Sequence, residues 1–196
     1  KERFMNAVEY GTGLSKREQV FQVKNQLRDA AIYKLLWSSG VRVSELVGLD
    51  LKNVDLDHHC IYVYRKGNDG RNEEAFSTVP ISDEAEYYLQ DYLNIRDSYL
   101  KNSGEKTDAF FLSRDGQRLS KRQIERMVAK IRMAALPNKM GKVTPHKFRS
   151  TCGSELLEQT KSIEMVAQKL GHSSVTTSQR YSRSNISQNM ENRNLT

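Results

Sequence analysis

Side chains that can grip a phosphate or transfer a proton stand at the ends of predicted secondary-structure elements in four separate segments of the chain. In order they are Arg42, Lys66, the pair His146 and Arg149, and His172, and Tyr181 follows nine positions after the last histidine. A guanidinium fork can hold two phosphate oxygens, and an imidazole can relay a proton near neutral pH. Each position alone is weak evidence, because an arginine at a helix junction is most often a capping or surface residue.

Arg42 lies where one predicted helix gives way to another. Apolar residues recur at helical spacing through residues 24–39, and Gly40 then ends that helix. Ser44 has the character of an N-cap that opens a short second helix. The sequence therefore predicts Arg42 in the tight connection between the two helices.

Three short runs of β-forming residues follow and predict a small three-stranded antiparallel sheet. The runs are 54–56, 60–65 and 75–81. The segment KGNDGRNEE between the last two is rich in Gly, Asn and Asp, which is typical of a hairpin turn. This pattern predicts that Lys66 lies at the tip of the sheet.

From residue 82 onward, serine and threonine caps predict a series of helices. The predicted starts are Ser82 (a helix over 83–101), Ser120, Thr144 with Pro145, and Ser162 with its end at Gly171, and a short final helix carries Tyr181. His146 and Arg149 lie one turn apart on the same face of their helix. The prediction is a single mainly α (α+β) domain over residues 1–196, with a linker and first helix in residues 1–20.

Five strings in a fixed order carry a family resemblance. They are SGVRVSEL, YRKGN, TPHKFRST, LGHSS and SQRY, spread over roughly residues 20–182. Together they resemble the tyrosine recombinase (phage integrase) family, especially its Xer-like bacterial and mobile-element members. The resemblance implies the DNA breaking-rejoining enzyme fold. It also implies a site-specific recombinase that cleaves and rejoins DNA without a metal, ATP or another cofactor.

The resemblance implies a role for each position. Arg42 and Arg149 would grip the scissile phosphate, and Tyr181 would be the nucleophile. The other assigned positions are Lys66 on the hairpin, the histidines His146 and His172, and Glu45 as a supporting acidic residue. These types suit the reaction, since a phenol oxygen can attack phosphorus while guanidiniums stabilise the charge that develops there.

Two neighbours of the hairpin lysine remain open as proton donors to the leaving group. Arg65 precedes Lys66, Arg71 lies further round the turn, and the predicted hairpin is longer than the usual family turn. Ser150 stands where many relatives have histidine. That departure lies outside the assigned positions, so we expect it to affect fine positioning more than activity.

The charge of the chain favours a polyanionic partner. Its 196 residues include 31 Lys and Arg against 24 Asp and Glu, a formal net charge of +7. Such an excess suits nucleic acid, where basic side chains displace condensed counterions. The resemblance adds double-stranded DNA as substrate, self-association into a recombinase tetramer on that DNA, and accessory DNA-bending proteins.

Other functional classes find little support in the sequence. It has no run near the roughly 18 apolar residues of a membrane span, and its first residues lack the apolar core of a signal peptide. We expect no membrane partner and a cytoplasmic, nucleoid-associated protein of bacterial, phage or mobile-element origin. Cys60 and Cys152 have no paired spacing, which predicts free thiols. The adjacent His58 and His59 diverge, so no metal site is expected.

The resemblance leaves the extent of the protein and two rival functions open. We expect a core-binding domain, which in relatives completes a clamp around DNA, to be missing from the N-terminal side of this fragment. Residues 184–196 would form a tail that docks on a neighbouring protomer. The rival functions are a non-catalytic DNA-binding module and a type IB topoisomerase, which shares the same chemistry.

Overall fold

A computed structural model describes residues 1–66, 74–102, 106–138 and 143–171. Within these ranges the chain forms seven α-helices, three β-strands and two short 3-10 helices. The α-helices are α1 (Glu2–Tyr10), α2 (Lys16–Ser39), α3 (Val43–Val47), α4 (Asp83–Arg96), α5 (Lys121–Ala135), α6 (Pro145–Thr160) and α7 (Ile163–Leu170). The strands are β1 (Val54–Asp55), β2 (Cys60–Lys66) and β3 (Glu74–Pro80), and the 3-10 helices are Leu51–Asn53 and Asp97–Asn102.

Serine caps start the helices where the sequence predicts them. The hydroxyls of Ser82, Ser120 and Ser162 accept backbone N–H groups at the starts of α4, α5 and α7 at 3.2–3.3 Å. Helix α2 begins well before the predicted residue 24, because Ser15 and Glu18 form a capping box. After Ser82, the α-helical segment ends at Arg96 and a 3-10 helix follows as far as Asn102. Thr144 makes no side-chain cap bond at the start of α6.

The sheet is antiparallel in the order β1-β2-β3. Strands β2 and β3 pair in continuous register, with Ile61 opposite Val79 and Tyr64 opposite Phe76. Ile61 and Val63 are buried while Tyr64 is exposed, as the alternation of a strand with one solvated face requires. The predicted sheet is confirmed, with the ends of its strands shifted by at most one residue.

Helix α2 forms the centre of the core and fixes α6 against it. Phe4 of α1, Tyr33 and Trp37 of α2, and Phe148 of α6 form an aromatic cluster with ring centroids 5.0–6.1 Å apart. A smaller buried cluster, which includes Cys152 and Leu170, joins α6 to α7. These contacts place the residue after Phe148, which is Arg149, beside the end of α2.

The predicted mainly helical fold with one small antiparallel sheet is confirmed. No helix in the described ranges is both long and apolar enough to cross a membrane.

Candidate active site

Gly40 brings the end of α2 into close contact with α6 and α7. Its backbone is left-handed (φ 64°, ψ 20°), a conformation that glycine adopts without a steric penalty. A Cβ atom at this position would lie 2.6 Å from Leu170 Cδ2 and 3.2 Å from Cys152 Sγ. The junction therefore requires glycine both for its backbone conformation and for space.

Arg42 is the N-cap of α3, so the prediction that Ser44 caps this helix is wrong. The helix starts at Val43, and the backbone of Arg42 is extended (φ −72°, ψ 150°). Glu45 reaches back and accepts the Arg42 backbone N–H on Oε2 at 2.8 Å. A carboxylate at the third helical position thus ties down the helix start, which is the role that such a residue has in a capping box.

The Glu45 carboxylate holds two guanidinium groups at once. Only 4% of its side chain is exposed, and its Oε1 accepts from Arg42 Nη1 at 2.6 Å and from Arg65 Nε at 3.3 Å. One negative charge therefore faces two positive charges, which leaves a local excess of positive charge. The Arg42 side chain is 45% exposed, so that excess is accessible to an anion from solvent.

Arg149 reaches the same junction from α6. It is 3% exposed, its Nη1 donates to the Gly40 carbonyl at 2.6 Å, and its Nη2 donates to the Leu170 carbonyl. Both acceptors lie at helix C-termini, where backbone carbonyls lack helical partners and carry partial negative charge. One buried guanidinium thus joins the ends of α2 and α7, and it bonds to the backbone two residues before Arg42.

The described residues bring Arg42, Glu45 and Arg149 together and include only part of the remaining predicted site. His146 is exposed on the first turn of α6, whereas Arg149 on that helix is buried. The backbone of Lys66 ends β2 opposite Glu74, at the start of the predicted hairpin turn. The Lys66 side chain, together with His172, Tyr181, Arg71 and the tail 184–196, lies outside the described residues.

Cysteine and tyrosine side chains near the core are poorly suited to act as nucleophiles. Burial raises the pKa of the Cys152 thiol, so the thiol stays protonated near neutral pH. Burial also raises the pKa of Tyr33 well above its ordinary value and that of Tyr92 to about 12. These groups pack in the interior, and Tyr181 stays the predicted nucleophile.

The two adjacent histidines of the sheet region pair with carboxylates. His58 Nδ1 lies 2.9 Å from Asp55 Oδ2, and His59 Nδ1 lies 2.5 Å from Glu86 Oε2. The two rings therefore have different partners. Across the part of the chain that the structure describes, no group of three or more His, Cys, Asp or Glu side chains is placed to hold a metal ion.

Glu45→Gln is expected to destabilise the protein by about 1.5–3 kcal/mol, the range for a hydrogen bond to a charged group. The amide removes the negative charge between Arg42 and Arg65, which then repel each other with less compensation. Urea unfolding measures the change, and Glu158→Gln at an exposed position of α6 is the matched control. Equal stability of the two variants would contradict the role assigned to Glu45.

Comparison with known proteins identifies the family. The phage integrase family pattern matches residues 2–188. The chain belongs to the phage integrase family. The resemblance inferred from the five sequence strings is therefore confirmed, and the match covers nearly every residue of this integrase-family chain.

Curated relatives of this integrase-family chain are tyrosine recombinases. XerS of Streptococcus agalactiae is 38% identical over 175 residues, which cover 88% of this chain and 46% of XerS. XerC of Corynebacterium glutamicum is 36% identical over 155 residues, covering 79% of this chain and 46% of XerC. The chain thus spans about half the length of the curated relatives it matches.

Solved structures confirm the integrase fold. The XerA recombinase has a TM-score of 0.69 at 30% identity, covering 92% of this chain and 55% of XerA. XerH bound to its difH substrate has a TM-score of 0.69 at 22% identity, covering 92% of this chain and 47% of XerH. At that identity the likeness to XerH bears on the fold alone.

Proposed function

We propose that this chain is the catalytic domain of a site-specific DNA recombinase that cleaves and rejoins strands through a 3′-phosphotyrosyl intermediate. The observation that supports it most directly is the bond of the Arg149 guanidinium to the Gly40 carbonyl, two residues before Arg42. Arg149 donates to the Gly40 carbonyl, and Arg42 follows two residues later with its guanidinium held by Glu45. Guanidinium groups held in advance near one point can stabilise the charge of a phosphoryl transition state.

In the proposed cleavage step, the Tyr181 oxygen attacks the scissile phosphorus while the bond from phosphorus to the 5′ oxygen breaks. The phenol proton passes to a base, with His146 and His172 as candidates, and the departing 5′ oxygen takes a proton from Lys66. One phosphodiester replaces another, so the bond energy is kept. Attack by the 5′ hydroxyl of another strand reverses the step and releases the tyrosine without ATP.

The two arginines have different parts in this proposal. The half-exposed Arg42 contacts the non-bridging phosphate oxygens directly. The buried Arg149 adds its positive charge and holds the junction together through its bonds to two helix ends. Glu45 supports the phosphate contact of Arg42 by holding the Arg42 guanidinium in place.

We propose double-stranded DNA as the substrate. The solved relatives include XerH with difH, the Tn1549 transposon integrase with transposon right end DNA, and a lambda integrase dimer bound to a COC′ core site. The net charge of +7 also suits this partner. Exchange of two duplexes cuts four strands, which calls for a tetramer. Accessory DNA-bending proteins and a cytoplasmic, nucleoid-associated location belong to the same proposal.

Covalent trapping on nicked duplex DNA of random sequence tests the proposal. After cleavage near a nick, the short fragment with the 5′ hydroxyl diffuses away, so the protein stays attached to DNA. We expect adducts that resist detergent and carry an enriched sequence at the trapped ends.

Two other outcomes would contradict the proposal. Adducts without an enriched sequence, together with relaxation of supercoiled plasmid, would indicate a type IB topoisomerase. Salt-sensitive DNA binding without any adduct would indicate a non-catalytic DNA-binding module.

A further inference from the structure

Arg65 lies on the buried face of strand β2, where a charged residue is uncommon. Ile61 and Val63, at alternate positions before it, are 0% and 1% exposed, and the period of the strand places Arg65 on the same face. Its side chain is 12% exposed. A guanidinium thus continues a row of apolar side chains into the candidate active site.

The guanidinium of Arg65 shares an acceptor with Arg42. Arg65 Nε donates to Glu45 Oε1 at 3.3 Å, and the same oxygen accepts from Arg42 Nη1 at 2.6 Å. Among the described contacts, the bond from Arg65 is the only one to the Glu45 carboxylate that comes from outside residues 42–45. Without it, only Arg42 would orient the carboxylate that is meant to orient Arg42.

The same guanidinium lies directly against the end of α7. Gly171 has a left-handed backbone (φ 59°, ψ 52°), and a Cβ atom there would lie 1.8 Å from Arg65 Nη1 and 2.5 Å from its Cζ. On the neighbouring residue, the Leu170 carbonyl accepts a hydrogen bond from Arg149 Nη2. Arg65 and Arg149 therefore contact consecutive residues at the end of α7.

One feature of Arg65 is unfavourable for stability. Its Nη2 is buried and has no hydrogen-bond partner among the described residues. A buried donor without an acceptor adds nothing to stability, so the described contacts of this atom do not favour Arg65 over an apolar residue. A guanidinium also stays protonated in proteins, so Arg65 is unsuited to give a proton to a leaving group.

We propose that Arg65 is a positioning residue for the recombinase reaction, acting on Arg42 through the Glu45 carboxylate and resting on Gly171. This role depends on the function proposed above. Loss of Arg65 lets the carboxylate turn, and the Arg42 guanidinium then no longer points consistently toward the phosphate. A misplacement of about 1 Å can cost on the order of a hundredfold in rate.

The test compares Arg65→Gln and Arg65→Lys on the full chain. We measure the single-turnover rate of adduct formation on saturating nicked random-sequence DNA, the DNA affinity and the melting temperature. Arg65→Gln is expected to slow adduct formation by about 10- to 100-fold and to change the DNA affinity by less than about threefold. Arg65→Lys is expected to recover part of the rate, because an ammonium can still pair with Glu45.

Arg96→Gln is the matched control for a merely structural effect. Arg96 is 3% exposed and donates to the carbonyls of Thr107 and Ala109, remote in sequence from the candidate site. The Arg96→Gln change is expected to lower the melting temperature, while the folded protein keeps its rate of adduct formation. Adding Arg65→Gln to a Glu45→Gln protein should lower its rate of adduct formation only slightly further, because both changes act through the same carboxylate.

Several results would overturn the role of Arg65. One is an adduct rate in Arg65→Gln equal to that of the unchanged protein. Another is a double variant whose rate loss is the product of the losses of Arg65→Gln and Glu45→Gln. A third is an equal rate loss in Arg96→Gln when its melting temperature falls by the same amount. Absence of adducts with the unchanged protein would instead overturn the proposed function, and the role of Arg65 with it.

Discussion

A Tyr181→Phe protein is expected to form no covalent complex with nicked DNA. Phenylalanine keeps the ring but lacks the oxygen that would form the phosphoester, and burial keeps the Cys152 thiol protonated and inert. We expect the adduct signal to fall at least about 10³-fold, on the scale known for removal of a catalytic nucleophile. Noncovalent DNA affinity should stay within about twofold, since one hydroxyl contributes little to counterion release.

The matched control for this variant is Tyr64→Phe. Tyr64 is 44% exposed on the outer face of the sheet, opposite Phe76. The Tyr64→Phe protein should therefore form as many adducts through Tyr181 as the unchanged protein does. Detergent gels measure the adducts, and mass spectrometry of the digested complex identifies the modified peptide. Adducts in Tyr181→Phe, or a modified peptide that lacks residue 181, would disprove the assignment of the nucleophile.

Arg149→Ala is expected to damage both stability and chemistry. The change removes charged donors from the Gly40 and Leu170 carbonyls, and it leaves a cavity where the buried side chain had been. Two lost bonds to a charged donor predict a destabilisation of about 3–6 kcal/mol. Loss of the positive charge predicts a fall in cleavage rate of about 10²–10³-fold, typical for one group that stabilises a transition state.

Arg42→Ala separates these two effects. The Arg42 side chain is 45% exposed, and the backbone N–H that donates to Glu45 remains in the alanine variant. We expect a stability loss of about 1.5–3 kcal/mol for one lost bond to a charged group, smaller than for Arg149→Ala because Arg65 still pairs with the Glu45 carboxylate. The loss of cleavage should be similar to that of Arg149→Ala. DNA affinity should be largely kept in both variants, because other basic residues supply most of the counterion release.

Urea unfolding and single-turnover cleavage below the melting temperature measure the two quantities separately. Arg149→Lys keeps the charge but cannot reproduce both carbonyl contacts, so its stability should lie between those of alanine and arginine. Equal stability losses for Arg42→Ala and Arg149→Ala would contradict the different burial of the two side chains. If the loss of cleavage in each variant were explained by an equal loss of DNA affinity, both arginines would act only by attracting DNA electrostatically.

Local signals predicted most element boundaries of this chain. Ser82, Ser120 and Ser162 mark helix starts because a hydroxyl can accept a backbone N–H two or three residues later, a contact within one helical turn. Gly171 marks the end of α7 for an equally local reason, its left-handed backbone. The strands were predicted because short runs of β-forming residues stand between turn-forming segments.

Local signals failed at Ser44. Serine is a good capping residue, but the chain begins α3 at Val43 and uses the Glu45 carboxylate to hold the start. That carboxylate is placed by Arg65 as well as by Arg42. Arginine is not among the preferred N-cap residues, so local capping preferences favoured Ser44 over Arg42.

The sequence by itself determined the family, the residue types of the candidate site and their placement at element ends. Arg42 at a helix junction and Arg149 on the first turns of a helix follow from residues within a few positions of each. The tertiary structure alone decided that Arg149 is buried and bound to two helix ends, while Arg42 stays half exposed. It alone also placed Arg65 between Glu45 and Gly171. These outcomes depend on which elements pack together, and contacts between residues so far apart in the chain leave no local pattern to read.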